Sequence, residues 1–202
     1  MLVPRVLSDN DIAGFRDRLC DLATRLIAER GPDNFNMRML AAEMGVSAMT
    51  PYRYFRDKDE ILSMIRARAF SRLADQLEQA LSMPGSLPER STAVIRAYVR
   101  FALEEQTCYR LIFDFSNRNT SPAPELADAE VRTRAAMGDH LRMMVDHGHY
   151  DGDPELIGHV FWASLHGLVL LHLTGKLNGD FDTILREMDR ILENAYRVRM
   201  SA

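Results

Sequence analysis

The stretch from Asn36 to Lys58 has the residue spacing of two short helices joined by a tight turn. Asn36 is a good N-cap for the first helix. Apolar residues follow it at helical spacing: Met37, Leu40, Ala41 and Met44. Gly45 ends this helix, because glycine takes a positive φ there without steric cost. Ser47 begins a second helix, which we expect to run to Phe55. The pattern predicts a helix-turn-helix, whose chemistry is DNA binding through a second helix in the major groove.

Patterns for catalysis or for metal binding lack support in this sequence. It contains no Gly-rich phosphate loop, nucleophile elbow or helical H-E-x-x-H. His147 and His149 have no third ligand near them, so we predict no metal and no cofactor. Cys20 and Cys108 match no metal-ligand spacing. We interpret them as two buried thiols, with a redox switch as the alternative.

The stretch resembles the DNA-binding domain of the TetR/AcrR family of bacterial transcriptional regulators. The resemblance starts in the preceding helix, at 15–30, and continues through G-V-S-x-x-T-x-Y-R-Y-F-x-x-K at 45–58 to Leu62. One departure is Pro51, which stands where the family usually has leucine or isoleucine and removes the first hydrogen bond of the second helix. The resemblance implies ten DNA-contacting residues: Asn36, Arg38, Ser47, Ala48, Met49, Thr50, Tyr52, Arg53, Tyr54 and Lys58.

The same resemblance implies a role for each part of this set. Ala48 and Met49 lie nearest the base edges, where apolar side chains contact thymine methyl groups. Lys58 meets phosphate at the start of its helix, where the positive end of the helix dipole also favours an anion. Asn36 and Arg38 serve the flanking phosphate or base. The implied partners are a palindromic double-stranded DNA operator, a small-molecule effector and a second copy of the chain.

The charge distribution agrees with an N-terminal part that binds DNA. The 202 residues carry a net charge of −4, yet residues 1–72 hold 12 Lys and Arg against 10 Asp and Glu. The remainder holds 13 against 19. The basic excess thus lies in the part expected to touch phosphate. The first residues lack the apolar core of a signal peptide, and by our interpretation no apolar run reaches the length needed to span a bilayer, so we predict a cytoplasmic protein without a membrane partner.

The periodicity predicts an all-α protein of about nine helices. We expect a helix-turn-helix domain at 9–60 and a ligand-binding and dimerisation domain at 61–202. An uninterrupted helix from Asp57 to about Leu81 joins the two, and residues 116–124 form a polar loop.

The second domain carries a candidate ligand pocket. Met and aromatic residues between 64 and 170 suit the wall of an apolar cavity, although they suit an ordinary core as well. The candidate lining residues are Phe70, Leu73, Tyr98, Phe101, Phe113, Met137, Leu141, Phe161, Trp162 and His166. The positions of Trp162, His166 and Gly167 also resemble the Trp-His-Gly signature of one group of C-terminal domains within the family.

The helix from Pro154 to Thr174 is apolar nearly all round, which indicates burial on one side by its own domain and on the other by a partner. With the following helix it predicts a four-helix dimer interface. The candidate interface residues are Gly158, Trp162, Leu165, Gly167, Ile184, Met188 and Ile191. The alternative is that both are core helices of a monomer.

These observations favour a ligand-responsive, homodimeric transcriptional regulator, a repressor released by a small apolar molecule, and not an enzyme. Two other interpretations stay open. An activator or a ligand-blind DNA-binding protein would share the same DNA-binding domain. A small-molecule carrier or enzyme would need the pocket and not the basic N-terminal part.

Overall fold

The computed structural model describes residues 8–113 and 124–198. Within them the chain forms eight α-helices and one 3-10 helix, and no β-strand, which confirms the all-α prediction. The α-helices are α1 (Asp9–Arg30), α2 (Met37–Glu43), α3 (Lys58–Leu81), α4 (Leu87–Glu104), α5 (Gln106–Ile112), α6 (Pro124–Asp146), α7 (Pro154–Leu173) and α8 (Phe181–Tyr196). The predicted loop at 116–124 lies, apart from Pro124, outside the described residues.

The chain divides into two compact units. The first comprises Met1–Ala69 and Thr107–Ala127, and the second comprises Phe70–Gln106 and Asp128–Ala202. The first unit therefore extends beyond the boundary at residue 60 that the sequence suggested. The reason is hydrophobic burial: Ile65 of α3 and Leu111 of α5 belong to the same buried cluster as Leu19 and Phe35.

α1 forms one side of the core of the first unit. Its predicted apolar stripe is buried at Leu19, Leu22, Ala23, Leu26 and Ile27. Ser8 caps the helix by accepting a hydrogen bond from the backbone N–H of Asp11, whose carboxylate accepts one in return from the backbone N–H of Ser8. Gly31 ends the helix at a φ of 79°.

The second unit is built around α4 and α7. α7 packs against both α4 and α8, and its buried stripe consists of Ile157, Phe161, Leu165, Leu168 and Val169. The second half of α3 contributes Leu73 and Leu77 to the interior. Thr133 of α6 donates a hydrogen bond to the carbonyl of Phe70 at 2.9 Å, which joins α6 to α3.

α7 corrects one expectation from the sequence, which was that no apolar run could span a bilayer. The 20 residues of Pro154–Leu173 are long and apolar enough to do so by length and composition. Core helices of globular domains meet the same criterion, and α7 is packed against α4 and α8. The length of this apolar run therefore carries little weight as a membrane signal.

Candidate nucleic-acid interface and ligand cavity

α2 and the turn after it have the predicted geometry. The side-chain oxygen of Asn36 accepts hydrogen bonds from the backbone N–H groups of Arg38 at 3.1 Å and Met39 at 3.0 Å, and so caps the helix. Gly45 reverses the chain at a φ of 66°. Because the side-chain oxygen of Asn36 already accepts these two hydrogen bonds, a contact between Asn36 and DNA would use the side-chain amide nitrogen. The side chain of Arg38 is exposed beside it.

The segment after the turn is not the predicted α-helix from Ser47 to Phe55. Its only helical part is Pro51–Arg53, a single 3-10 turn. The backbone N–H of Thr50 donates to the carbonyl of Ser47 at 2.8 Å, a bond that spans three residues where an α-helix spans four. Pro51 explains the difference, because it has no N–H with which to continue an α-helical ladder. Its side chain is buried, so it also fixes the segment to the core.

Five of the predicted contact residues on this segment are exposed: Ser47, Ala48, Met49, Tyr52 and Arg53. Met49 is 66 % exposed and Tyr52 is 44 % exposed. Large apolar and aromatic side chains in solvent, beside an arginine and a hydroxyl, suit a surface that contacts both base edges and phosphates. Thr50 is half-buried between them. We name residues 47–53 the recognition surface.

Arg16 of α1 fixes the end of this segment, a role that the sequence analysis missed. Its guanidinium donates a hydrogen bond to the carbonyl of Tyr54 at 2.7 Å and pairs with Glu60 at 3.3 Å. It also lies 4.2 Å from the centre of the Phe55 ring. The Tyr54 ring stacks on Phe15 at 4.3 Å, so this predicted contact residue serves the frame of the site. An arginine beside an apolar helix stripe is too common to signal such a role.

Lys58 is held inside the first unit. Its Nζ donates to the carbonyl of Pro32 at 2.6 Å, and the residue is half-buried. Asp57 caps α3 by accepting from the backbone N–H of Glu60 at 2.9 Å, and this hydrogen bond holds the pKa of Asp57 below its usual value. The carboxylates of Asp57, Asp59 and Glu60 make the start of α3 less attractive to phosphate than the sequence suggested. An ammonium has three donors, so a phosphate contact by Lys58 stays a prediction.

The second unit contains a small apolar cavity bordered by α3, α4, α6 and α7. Its volume is about 20 Å³, which is room for about one water molecule. Five of the ten predicted pocket residues line it: Tyr98, Met137, Leu141, Phe161 and Trp162. The structure thus brings together predicted residues that are up to 64 positions apart in the sequence (Tyr98 to Trp162).

The other five predicted pocket residues lie outside this cavity: Phe70, Leu73, Phe101, Phe113 and His166. Leu73 and Phe101 are buried core residues of the second unit. His166 is half-buried, and burial lowers its pKa. Phe113 belongs to the first unit, where its ring meets that of Tyr109 edge-on at 5.0 Å.

His140 of α6 is a polar residue of the cavity that the sequence analysis missed. Its side chain is 4 % exposed, and neither ring nitrogen has a hydrogen-bond partner among residues 8–113 and 124–198. Burial lowers the pKa of the imidazole to about 4, so it is uncharged at neutral pH. The spacing held a signal, since His140 lies three residues after Met137, a predicted pocket residue.

An open groove of about 610 Å³ runs along α6 and α7. It shares Met137, Gly158 and Trp162 with the cavity, so these three residues lie between the two spaces. Charged residues of both signs flank the groove: Arg134, Asp139, Arg142 and Glu155.

The predicted dimer residues fall into two groups. Leu165 is buried within its own unit, and a Cβ on Gly158 would lie 3.9 Å from Leu141 Cδ1, so both residues pack against their own unit. Trp162 lies half-buried at the cavity. A Cβ on Gly167 would meet open space, and Ile191 is 53 % exposed. Ile184 and Met188 are half-buried beside it on α8.

α7 and α8 share an unusual amount of exposed apolar surface. Large apolar side chains are exposed on both helices: Leu156, Leu170, Leu171 and Ile191. α8 has no fully buried residue, although its apolar residues recur at helical spacing. We name the outward apolar side of these two helices the α7–α8 face.

The remaining candidate sites are a metal site and the two cysteine thiols. Among the described residues no group of three or more His, Cys, Asp or Glu side chains could hold a metal ion. Cys20 and Cys108 are both buried, and burial raises the pKa of the Cys20 thiol. A raised pKa leaves less of the reactive thiolate at neutral pH.

These features define a class of protein: an all-α chain with a helix-turn-helix unit and a second helical unit that holds an apolar cavity. The family described as bacterial regulatory proteins, tetR family, matches residues 19–65. The domain described as tetracyclin repressor-like, C-terminal domain, matches residues 91–195. The chain therefore belongs to the TetR family, whose members are helix-turn-helix transcriptional regulators and not enzymes.

Individual relatives agree with this assignment. The HTH-type transcriptional regulator Rv1816 of Mycobacterium tuberculosis is 24 % identical over 98 residues, which are 48 % of this chain and 42 % of that protein. The match thus spans less than half the length of that relative. A protein of unknown function from Rhodococcus sp. RHA1 has the same fold, with a TM-score of 0.82 at 24 % identity over 98 % of this chain and 100 % of that one. A TetR-family protein from Vibrio parahaemolyticus reaches 0.68 at 25 % identity over 91 % and 99 %.

Proposed function

We propose that this chain is a cytoplasmic, homodimeric transcriptional repressor that a small, mainly apolar molecule releases from its operator. The observation that supports DNA binding is the recognition surface, where Met49, Tyr52 and Arg53 are exposed on a segment that Arg16 and Pro51 fix to the core. Exposed large apolar side chains on a rigid frame are costly without a partner, and base edges with their methyl groups suit them.

A second copy of the chain is the partner that suits the α7–α8 face. The open space at Gly167 would admit close approach of another helix, and exposed Leu170 and Ile191 would be buried by it. Two such helices from each subunit make a four-helix interface of the isologous kind. A dimer also doubles the modest basic excess of the DNA-binding part.

Helix α3 would transmit ligand binding to the DNA-binding part and so release the protein from its operator, because α3 contributes residues to both units. Two recognition surfaces must lie about one helical turn of DNA apart, about 34 Å, to enter successive major grooves. A ligand that displaces the second half of α3 would change this spacing. The change requires that the ligand bind the DNA-free conformation more tightly by a few kcal/mol.

The rival interpretations differ in what the second unit must do. A ligand-blind DNA-binding protein needs no polar group in its cavity, whereas His140 is buried there with no hydrogen-bond partner among the described residues. An activator would share both sites. Its promoter would gain activity when the protein binds, whereas that of a repressor would lose it.

The test begins with DNA. The purified chain selects bound sequences from a random DNA pool, and an enriched palindrome is the expected result. Transcription from a promoter that carries this palindrome should fall when the chain is added. Absence of any enriched sequence would refute the proposed function, and a rise in transcription would replace the repressor by the activator.

A matched pair of methionine variants tests the recognition surface. Met49→Ala should weaken binding to the selected DNA about tenfold, since contacts with a base pair contribute about 1–3 kcal/mol. Met83→Ala is the control, because Met83 is 52 % exposed in the turn after α3, in the second unit. Equal affinities for the two variants would remove Met49 from the DNA contacts.

A further inference from the structure

The imidazole of His140 borders the cavity and has no hydrogen-bond partner among the described residues. A neutral imidazole has one N–H donor and one acceptor nitrogen, and neither ring nitrogen of His140 has a partner in the described part of the chain. A buried donor without an acceptor is rare in proteins, because it loses its hydrogen bond to water and gains nothing. The observation therefore calls for an acceptor that residues 8–113 and 124–198 do not supply.

The other residues around the cavity restrict the chemistry of that acceptor. They are apolar or aromatic, and no Lys, Arg, Asp or Glu is among the described residues that line it. The imidazole itself is uncharged at neutral pH, since burial lowers its pKa. An ionised carboxylate or phosphate would be buried there without a counter-charge, which is strongly unfavourable. An uncharged carbonyl or hydroxyl oxygen carries no such cost.

The cavity is too small to hold a ligand by itself, so a ligand would enter from the groove outside it. About 20 Å³ admits no molecule larger than water, whereas ligand pockets usually measure about 300 Å³ or more. The groove outside offers about 610 Å³, and only Met137, Gly158 and Trp162 border both spaces. Methionine is flexible and glycine has no side chain, so displacement of Trp162 would join the groove to His140.

We propose that His140 is the hydrogen-bonding anchor of the effector site and that Trp162 is its gate. The effector is an uncharged, mainly apolar molecule whose carbonyl or hydroxyl oxygen accepts the His140 N–H. Its apolar body passes Trp162 into the groove between α6 and α7. This inference rests on the proposed ligand response and names the chemical class of that ligand.

Three small probes test the class on the full chain without DNA. Acetophenone carries a carbonyl oxygen, α-methylstyrene has the same shape with a CH₂ group instead, and benzoate carries a charge. Trp162 is the only tryptophan, so its fluorescence reports displacement of the gate. Acetophenone should shift the emission and bind about tenfold more tightly than the other two. Equal affinities, tighter binding of benzoate or an unchanged emission in all three titrations would each overturn the proposal.

Variants of His140 assign the effect to this residue. His140→Leu should remove the preference for acetophenone, and His140→Gln should keep it, because glutamine retains an N–H donor. His147→Leu is the control, since this histidine is exposed and bonds only to the carbonyl of Met143 in the described structure. His140→Leu should also raise the melting temperature without ligand by about 2–4 °C, because an unsatisfied polar group is replaced by an apolar one.

A fall in that melting temperature, together with an unchanged preference for acetophenone, would show that His140 is structural. Failure of this inference and failure of the proposed function are distinguishable. A chain that fails to repress can still bind acetophenone through His140, and a ligand-released repressor can fail this probe test.

Discussion

Acidification from pH 7.5 to 5.0 should cost the folded chain about 2 kcal/mol through His140 alone. Burial lowers the pKa of this imidazole from 6.5 to about 4. Between these values the unfolded chain binds a proton that the folded chain does not bind, so the stability falls as the pH falls. The contribution is fully present above pH 6.5. One pKa unit corresponds to about 1.4 kcal/mol, which gives about 3 kcal/mol in full and about 2 kcal/mol at pH 5.0.

Asp189 of α8 acts in the opposite direction. Burial raises its pKa from 3.8 to about 6, so the folded chain binds the extra proton in this range. Its contribution to stability is present below pH 3.8 and is lost as the pH rises through 6. The carboxyl is only half-buried, so solvent screening makes its effect smaller than that of His140. The pH-dependent contributions of His140 and Asp189 to stability therefore partly cancel in the unmodified chain.

Urea unfolding at pH 7.5 and 5.0 measures both contributions. The unmodified chain, His140→Leu and Asp189→Asn are compared at one protein concentration, because subunit association would shift the apparent stability. His140→Leu should lose about 2 kcal/mol less than the unmodified chain on acidification, whereas Asp189→Asn should lose more. If His140→Leu loses as much stability as the unmodified chain, the imidazole is not buried in an uncharged form and the reasoning fails.

Two further predictions concern DNA and the dimer. Lys58→Ala should lower the salt slope of DNA binding by about 0.9, the value for one phosphate contact. Lys176→Ala, at the only other lysine in the sequence, should leave it unchanged. If Lys58→Ala lowers only the melting temperature, Lys58 serves the turn at Pro32 and not DNA. Gly167→Leu should convert the dimer to a monomer in sedimentation experiments while the helical content stays the same. Gly14→Leu is the control, because Gly14 is another open helical position. A Gly167→Leu variant that stays dimeric would refute the α7–α8 interface.

The sequence determined the elements whose causes are local. The cap at Asn36 and the reversal at Gly45 follow from hydrogen bonds and φ angles within a few residues, and both lie where the pattern predicted them. The buried stripe of α1 likewise follows from the periodicity of its apolar residues. The family resemblance was confirmed for the same reason, since its motif lies within one continuous stretch.

The tertiary structure decided what depends on residues far apart in the chain. Pro51 stands out in the sequence as a departure, but its burial and the 3-10 turn that replaces the predicted α-helix are visible only in the structure. On α7, which is apolar on all sides, composition cannot tell an inward Leu165 from an outward Leu170. His140 carries no motif at all. Its role depends on which helices surround it and on the lack of a hydrogen-bond partner for its ring nitrogens among the described residues. Both follow from the packing of α3, α4, α6 and α7.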